Sequence, residues 1–131
     1  MSQVLSNEAK KLLREPVLAH IATIDADGLP ALTPVWVDIE GDDVVINTAE
    51  GRVKTKNLRS NPNVAVSVVD PADPHRVLAL RGIAVEFDTE SADKHADFLA
   101  GKYTGDDRFE SADGRPRVKI RIRTERIVMQ P

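Results

Sequence analysis

The chain doubles back at short intervals, and those reversals constrain its fold more than any other feature. Two strand-like runs, 17–24 and 31–39, flank Asp25-Ala26-Asp27-Gly28, and Asp-Gly between such runs is a strong hairpin signal. Glu40-Gly41-Asp42-Asp43 turns the chain again before a third run at 44–49. Further runs follow at 64–69, 76–88 and 118–129. Helical patterns fall only in the gaps, so there is no regular strand–helix–strand repeat, which disfavours a doubly wound sheet. The expectation is a mainly β protein: a six-stranded antiparallel barrel, closed or nearly closed, with short peripheral helices.

Local signals refine this outline. Ser6 is placed to cap a first helix ending near Arg14, with Ala9, Leu12 and Leu13 as its apolar stripe. Glu15-Pro16 ends that helix, because a proline disfavours helical geometry in the residue before it. Asp70-Pro71-Ala72-Asp73-Pro74 reads as a loop. In 76–88, Val77, Ala79, Ile83, Val85 and Phe87 share one face, and Arg81 on that face needs a partner or an opening. Gly82 in mid-strand implies a bulge or a close backbone approach. A helix is expected over 90–102 and an irregular loop over 105–115. The last run alternates Val118, Ile120 and Ile122 with Lys119, Arg121 and Arg123, as an edge strand guarded by charge would.

Composition removes several functional classes. The 131 residues fit one domain spanning 1–131, with 41% hydrophobic and 30% charged residues. No apolar run approaches the roughly 18 residues of a membrane span. The N-terminus lacks a basic region followed by an apolar segment, which favours a cytoplasmic protein. Without cysteine there are no disulfides, thiolate nucleophiles or iron–sulfur ligands. A net charge of −3 argues against general nucleic-acid binding.

Against that acidic background, Gly51-Arg52-Val53-Lys54-Thr55-Lys56-Asn57-Leu58-Arg59-Ser60-Asn61-Pro62 gathers Arg52, Lys54, Lys56 and Arg59 in one connector. A glycine, basic residues and a helix start form a suitable phosphate holder, since helix-start amides and the macrodipole favour an anion. A solvated basic helix fits the same residues. Other constellations fail. His20, His75 and His95 lack metal-ligand spacing, and His20 reads as a core or interface residue. No Gly-x-Ser-x-Gly elbow, Walker loop or Gly-x-Gly-x-x-Gly is present.

The order of motifs resembles the split β-barrel flavin and deazaflavin oxidoreductases, the superfamily of pyridoxamine 5'-phosphate oxidase. Within it, the chain is most similar to the small actinobacterial reductases that use coenzyme F420. The resemblance rests on His20-Ile21-Ala22-Thr23, Asp27-Gly28-Leu29-Pro30, Pro34-Val35-Trp36 and 47–58 with Asn61-Pro62. Pro74 to Gly82 and Lys102-Tyr103-Thr104-Gly105 also match. It implies an FMN-binding-type split barrel that forms a homodimer, with two cofactor sites shared across the subunit interface. Arg52 and Lys54, with Val53 and Thr55, would hold the cofactor phosphate, and Arg59 its tail. Asn47 and Thr48 would line the ring, and Pro34, Val35 and Trp36 the neighbouring wall. His75, Arg76, Val77 and Leu78 would come from the partner chain, where many relatives carry an aromatic near His75 and Arg76. Tyr103 would be a core phenol or a proton donor. The implied activity is hydride transfer from reduced F420 to a small organic acceptor such as an enone or quinone. FMN in the same fold, or a non-catalytic carrier of a cofactor or tetrapyrrole, are the alternatives. The oxidase itself is disfavoured, because no Arg-x-His tail precedes Pro131.

Overall fold

The computed structural model describes residues 3–131. Seven strands, β1 (Ala19–Ile24), β2 (Pro30–Val35), β3 (Val37–Glu40), β4 (Asp43–Ala49), β5 (Asn63–Asp70), β6 (Asp73–Asp88) and β7 (Arg117–Met129), make up the sheet. Three helices, α1 (Asn7–Arg14), α2 (Val53–Ser60) and α3 (Ala92–Thr104), occupy the gaps. All strand pairs are antiparallel, in the order β2-β1-β5-β6-β7-β4-β3.

The expected mainly β split-barrel architecture is present, with seven strands in place of six. The run 31–39 breaks at Trp36. Before the break β2 pairs with β1, and after it β3 pairs with β4. β2 and β3 are thus the two opposite edges of the sheet. Val35 and Val37 are two residues apart and can be separated by no more than about 7 Å. The sheet must therefore curl until its edges meet at Trp36. Ile21, Val66, Leu78, Leu80, Ile46 and Ile120 fill the interior this creates.

The β6 face is reversed from expectation. Leu78, Leu80 and Ala84 are buried, while Arg81 and Val85 are exposed. Both faces of β6 are apolar, so alternation alone cannot orient it. Its partners decide: Val68, Val66 and Val64 on the buried face of β5 stand opposite Leu78, Leu80 and Gly82. A register shift between Ala84 and Glu86 then inverts the phase, and Phe87 packs against the core after all.

Other expectations shift in the same physical terms. β7 is interior, between β6 and β4, and its cations pair across strands: Lys119 with Glu40 at 2.7 Å and Arg121 with Asp43 at 2.6 Å. The segment expected as a loop at 70–74 is a tight reversal in which Asp70 pairs with Asp73. The Asp70 carboxylate accepts the Ala72 amide and stabilises the turn. His20 points outward on β1, so its core reading fails. The first helix matches expectation, and Ser6 Oγ accepts the Ala9 amide at 3.0 Å. Among the described residues no helix is long and apolar enough to cross a membrane.

Gly82 lies where β6 and β7 press closest. A Cβ there would stand 2.5 Å from Ile122 Cγ2 and 2.7 Å from the Arg123 carbonyl oxygen. Backbone cannot yield as a side-chain tip can. Gly82→Ala is therefore expected to destabilise the fold by about 1–3 kcal/mol. Urea denaturation of the two proteins measures it, and equal midpoints would refute the close approach.

Candidate functional site

The site begins where β4 ends. Gly51 adopts φ +84°, a left-handed value that favours glycine, and turns the chain into α2. Thr55, buried beneath the helix start, donates its hydroxyl to the Ala49 carbonyl at 2.8 Å. That bond fixes the first turn of α2 against the end of β4. Arg52 stands at the N-cap position and no side chain caps the helix, so the first-turn amides lack a side-chain acceptor.

Beside this corner is a cavity of about 290 Å³. Pro34, Val35 and Trp36 supply one wall from the β2–β3 break, and Asn47 and Thr48 another from β4. Arg52 and Lys54 form its cationic rim. Leu18, Ala96, Leu99, Phe109 and Arg117 complete the lining. Trp36 stacks on Tyr103 with ring centroids 4.9 Å apart and meets the edge of Phe109 at 6.1 Å.

The structure thus gathers Arg52, Lys54, Asn47, Thr48, Pro34, Val35 and Trp36 around one space. It leaves the other candidates elsewhere. Val53 is exposed on α2 and Thr55 is buried under it. Arg59 pairs with Glu50 and covers the Phe87 ring at 4.7 Å. His75 is exposed near the β5–β6 turn. Arg76 is held by Glu15 at 2.8 Å, Asp70 at 3.1 Å and Glu8 at 3.6 Å. Val77 is half-buried, and Leu78 faces the core and can offer a second chain only its backbone.

Sequence reasoning missed Leu18, Ala96, Leu99, Phe109 and Arg117. Two of them carried a signal: Phe109 is the aromatic of the 105–115 segment, and Arg117 shares the parity of Lys119 and Arg121.

Like charge accumulates here. Burial, then Arg52 and Arg117, hold the Lys54 amine below the usual lysine range. Burial and Arg52 likewise lower Arg117. Arg52 is matched by Asp113 at 3.2 Å, but Lys54 has no ion pair among the described residues. A polar chain runs behind the cavity wall. Arg117 Nε donates to Asn47 Oδ1 at 2.9 Å, Asn47 Nδ2 meets His95 Nδ1 at 3.1 Å, and His95 Nε2 meets Asp38 Oδ2 at 3.2 Å.

The pyridoxamine 5'-phosphate oxidase family profile matches residues 5–130. The chain belongs to the pyridoxamine 5'-phosphate oxidase family. Among solved structures, an F420 reductase is 29% identical with TM-score 0.83, covering 94% of this chain and 98% of that one. A conserved hypothetical protein from Mycobacterium tuberculosis, Rv2991, is 24% identical with TM-score 0.74, over 95% of this chain and 83% of that one. A FAD-binding protein from Mesorhizobium loti is 22% identical with TM-score 0.68, over 97% and 95%. The last two likenesses show the fold alone. No curated sequence matches the chain.

In this member of the pyridoxamine 5'-phosphate oxidase family, Tyr103 is a structural phenol. It donates to the Val17 carbonyl at 2.6 Å and accepts the Val37 amide at 2.9 Å. Burial raises its pKa, which keeps the donor protonated. Next to it, Lys102 Nζ donates to the Leu13 carbonyl at 2.7 Å and the Val37 carbonyl at 2.6 Å. Burial pushes the Lys102 amine down to about 8, against the counter-pull of Asp38. Between that value and the ordinary 10.5, the unfolded chain binds more protons than the folded one, so Lys102 makes stability rise with pH across this window. Below it the group contributes no slope. Chemical denaturation from pH 7 to 10 should show that rise in the wild type and a flatter curve in Lys102→Met. Parallel curves would refute it.

Proposed function

We propose that the protein is an oxidoreductase that uses reduced coenzyme F420 to reduce a small organic acceptor. The observation that carries this reading is the union of an Arg52–Lys54 corner with a cavity walled by Pro34, Val35 and Trp36. The residues fit the group: an anionic handle needs cations and open helix amides, and a flat ring needs apolar walls. The similarity to the F420 reductase favours the deazaflavin over FMN or FAD. When bound, the reduced cofactor supplies a hydride from C5. Arg52 and Lys54 anchor the phosphate, Asn47 and Thr48 orient the ring, and the Trp36 wall keeps water from its face. The whole 131-residue chain acts as one cofactor-binding unit. Tyr103 is already committed to two backbone groups, so solvent is the better proton source.

The second part of the proposal is a homodimer with the site at its interface. The outer face of β1, β2, β5 and β6 is made mostly of small and apolar side chains, with Arg81 and His20 among them. Leu32, Ala22, Ala65 and Arg81 lie across it in register, as do Pro34, His20, Ser67 and Ala79. Leu18 and Pro34 belong both to the cavity lining and to the margin of this face. A second copy seated there would complete the cavity, bringing His75 and Val77 within the same surface. Arg76 is paired within its own chain and would support that hairpin.

Trp36 is the only tryptophan of the chain and lines the cavity, so its fluorescence reports binding. Titration with F420 is expected to quench it. Lys54→Ala is expected to weaken that binding roughly 10- to 100-fold through loss of a charge-assisted contact. Equal affinity in both proteins, or tighter binding of FMN than of F420 by the wild type, would overturn the assignment. Oxidation of reduced F420 in the presence of enones and quinones then tests turnover. Sedimentation should return twice the 14.4 kDa chain mass for the wild type and the single mass for Ala65→Glu. A monomeric wild type would remove the shared site.

A further inference from the structure

Arg117 stands at the start of β7, outside the connector that holds Arg52 and Lys54, yet it lines the same cavity. Its placement is constrained on two sides. Nε is committed to Asn47 Oδ1, and the guanidinium carbon lies 4.4 Å from the centroid of Phe109. It forms no ion pair among the described residues. Its terminal nitrogens are therefore available beside Lys54 and Arg52, with Asp113 and Asp93 acting on it only from a distance. Like-charged side chains of this size normally spread apart when exposed. Here one of them is tethered toward the other two.

The tether has a single direction. Asn47 Oδ1 must face Arg117, because guanidinium nitrogens only donate. Asn47 Nδ2 must face the Ala92 carbonyl, 2.8 Å away, because a carbonyl only accepts. These two partners fix the amide orientation, which leaves the second Nδ2 hydrogen directed at His95 Nδ1. Nδ1 must then accept, the ring hydrogen sits on Nε2, and Nε2 donates to the Asp38 carboxylate. Every link from Arg117 to Asp38 runs the same way, so breaking one link loosens the next. The relay lies in the layer between α3 and β4, where His95 is 8% exposed. Its terminal Asp38 is itself braced: burial opposes its charge, but hydrogen bonds from His95 and the Ile39 amide, together with nearby positive charge, hold its carboxyl below the usual range.

We propose that Arg117 is a third anchor for the anionic group of the bound cofactor, held in position by a one-way relay through Asn47, His95 and Asp38. This rests on the reading of the cavity as a cofactor site. It adds a ligand contact from β7 and assigns His95 and Asp38 as positioning residues that touch no cofactor.

The test measures binding of F420 and FMN by Trp36 fluorescence, and of inorganic phosphate by thermal shift, in the full chain. Arg117→Gln should weaken F420 on the order of 10- to 100-fold and abolish phosphate stabilisation, with partial recovery in Arg117→Lys. His95→Leu should weaken F420 by about 3- to 10-fold in the wild-type background and by nothing further in Arg117→Gln. His95→Gln should retain affinity, because its amide can accept from Asn47 and donate to Asp38. Should His95→Leu not fold, Asp38→Ala breaks the relay at its far end, outside the cavity lining, and carries the same expectation.

Losses from His95→Leu that are equal in both backgrounds mean simple packing and overturn the relay. Wild-type affinity in Arg117→Gln overturns the anchor, while F420 binding by the wild type leaves the oxidoreductase reading intact. If neither F420 nor FMN binds but phosphate stabilises the protein through Arg117, the anchor stands and the cofactor reading falls. If nothing binds the wild type, both fall.

Discussion

One phenol and one amine at the end of α3 hold the curled sheet in register. The Tyr103 hydroxyl joins the carbonyl of Val17, before β1, to the amide of Val37, which opens β3. Lys102 joins the Leu13 carbonyl at the end of α1 to the Val37 carbonyl. Val37 is the first residue after the chain leaves one sheet edge for the other. Its backbone groups at that corner would otherwise lose partners, and a buried unpaired amide or carbonyl costs about 1–3 kcal/mol. Trp36 stacks on the same phenol and forms the cavity wall. The feature that closes the barrel is thus also the one that shapes the site. Burial of Lys102 deep enough to lower its pKa to about 8 is the accompanying penalty.

Much of this was legible in the sequence, and the omissions have physical causes. The Asp-Gly turn, the Ser6 cap and the Gly82 approach are local chemistry, and each sits where the sequence places it. The Trp36 break is different. Nothing in 31–39 interrupts the strand pattern, because the break arises from pairing with two distant strands, β1 and β4. The β6 face failed for a related reason: with apolar residues on both sides, only the opposite strand selects which side is inside. At the site, the compact connector showed Arg52 and Lys54 because they are neighbours in sequence. Arg117 and Phe109 reach the same cavity through β7 and the preceding loop, and no spacing rule links residue 117 to residue 52. The Lys-Tyr-Thr-Gly element at 102–105 carries part of the family resemblance. Its function as a clamp depends on carbonyls of residues 13, 17 and 37, which are invisible without the fold.

The charge arrangement at the cavity also reverses the usual surface pattern. Elsewhere several half-buried cations are matched across strands or between helix and turn: Lys119 with Glu40, Arg121 with Asp43, Arg76 with Glu15 and Asp70. A protein of net charge −3 has carboxylates enough to match those at the cavity as well. Instead Lys54 and Arg117 are partly buried next to Arg52; burial first, and then neighbouring like charge, holds both below their ordinary pKa values, against the pull of Asp113 and Asp93 on Arg117. Such an arrangement is unfavourable for the free chain and becomes favourable when an anion enters. Of the rim cations Asp113 pairs only with Arg52, and it also pairs with Arg115 at 3.5 Å, in a segment whose other bonds, to Ser111 and the Arg115 amide, are local and exposed. An anion bound at the rim would relieve the repulsion between these like charges, and ligand binding and local stability would then be coupled through one set of charges. The apolar wall needs no such relief. It is held by Trp36 stacked on Tyr103. On the proposed reading, the apolar slot and the cationic rim together would favour a ligand carrying both a flat ring and negative charge over one carrying either alone.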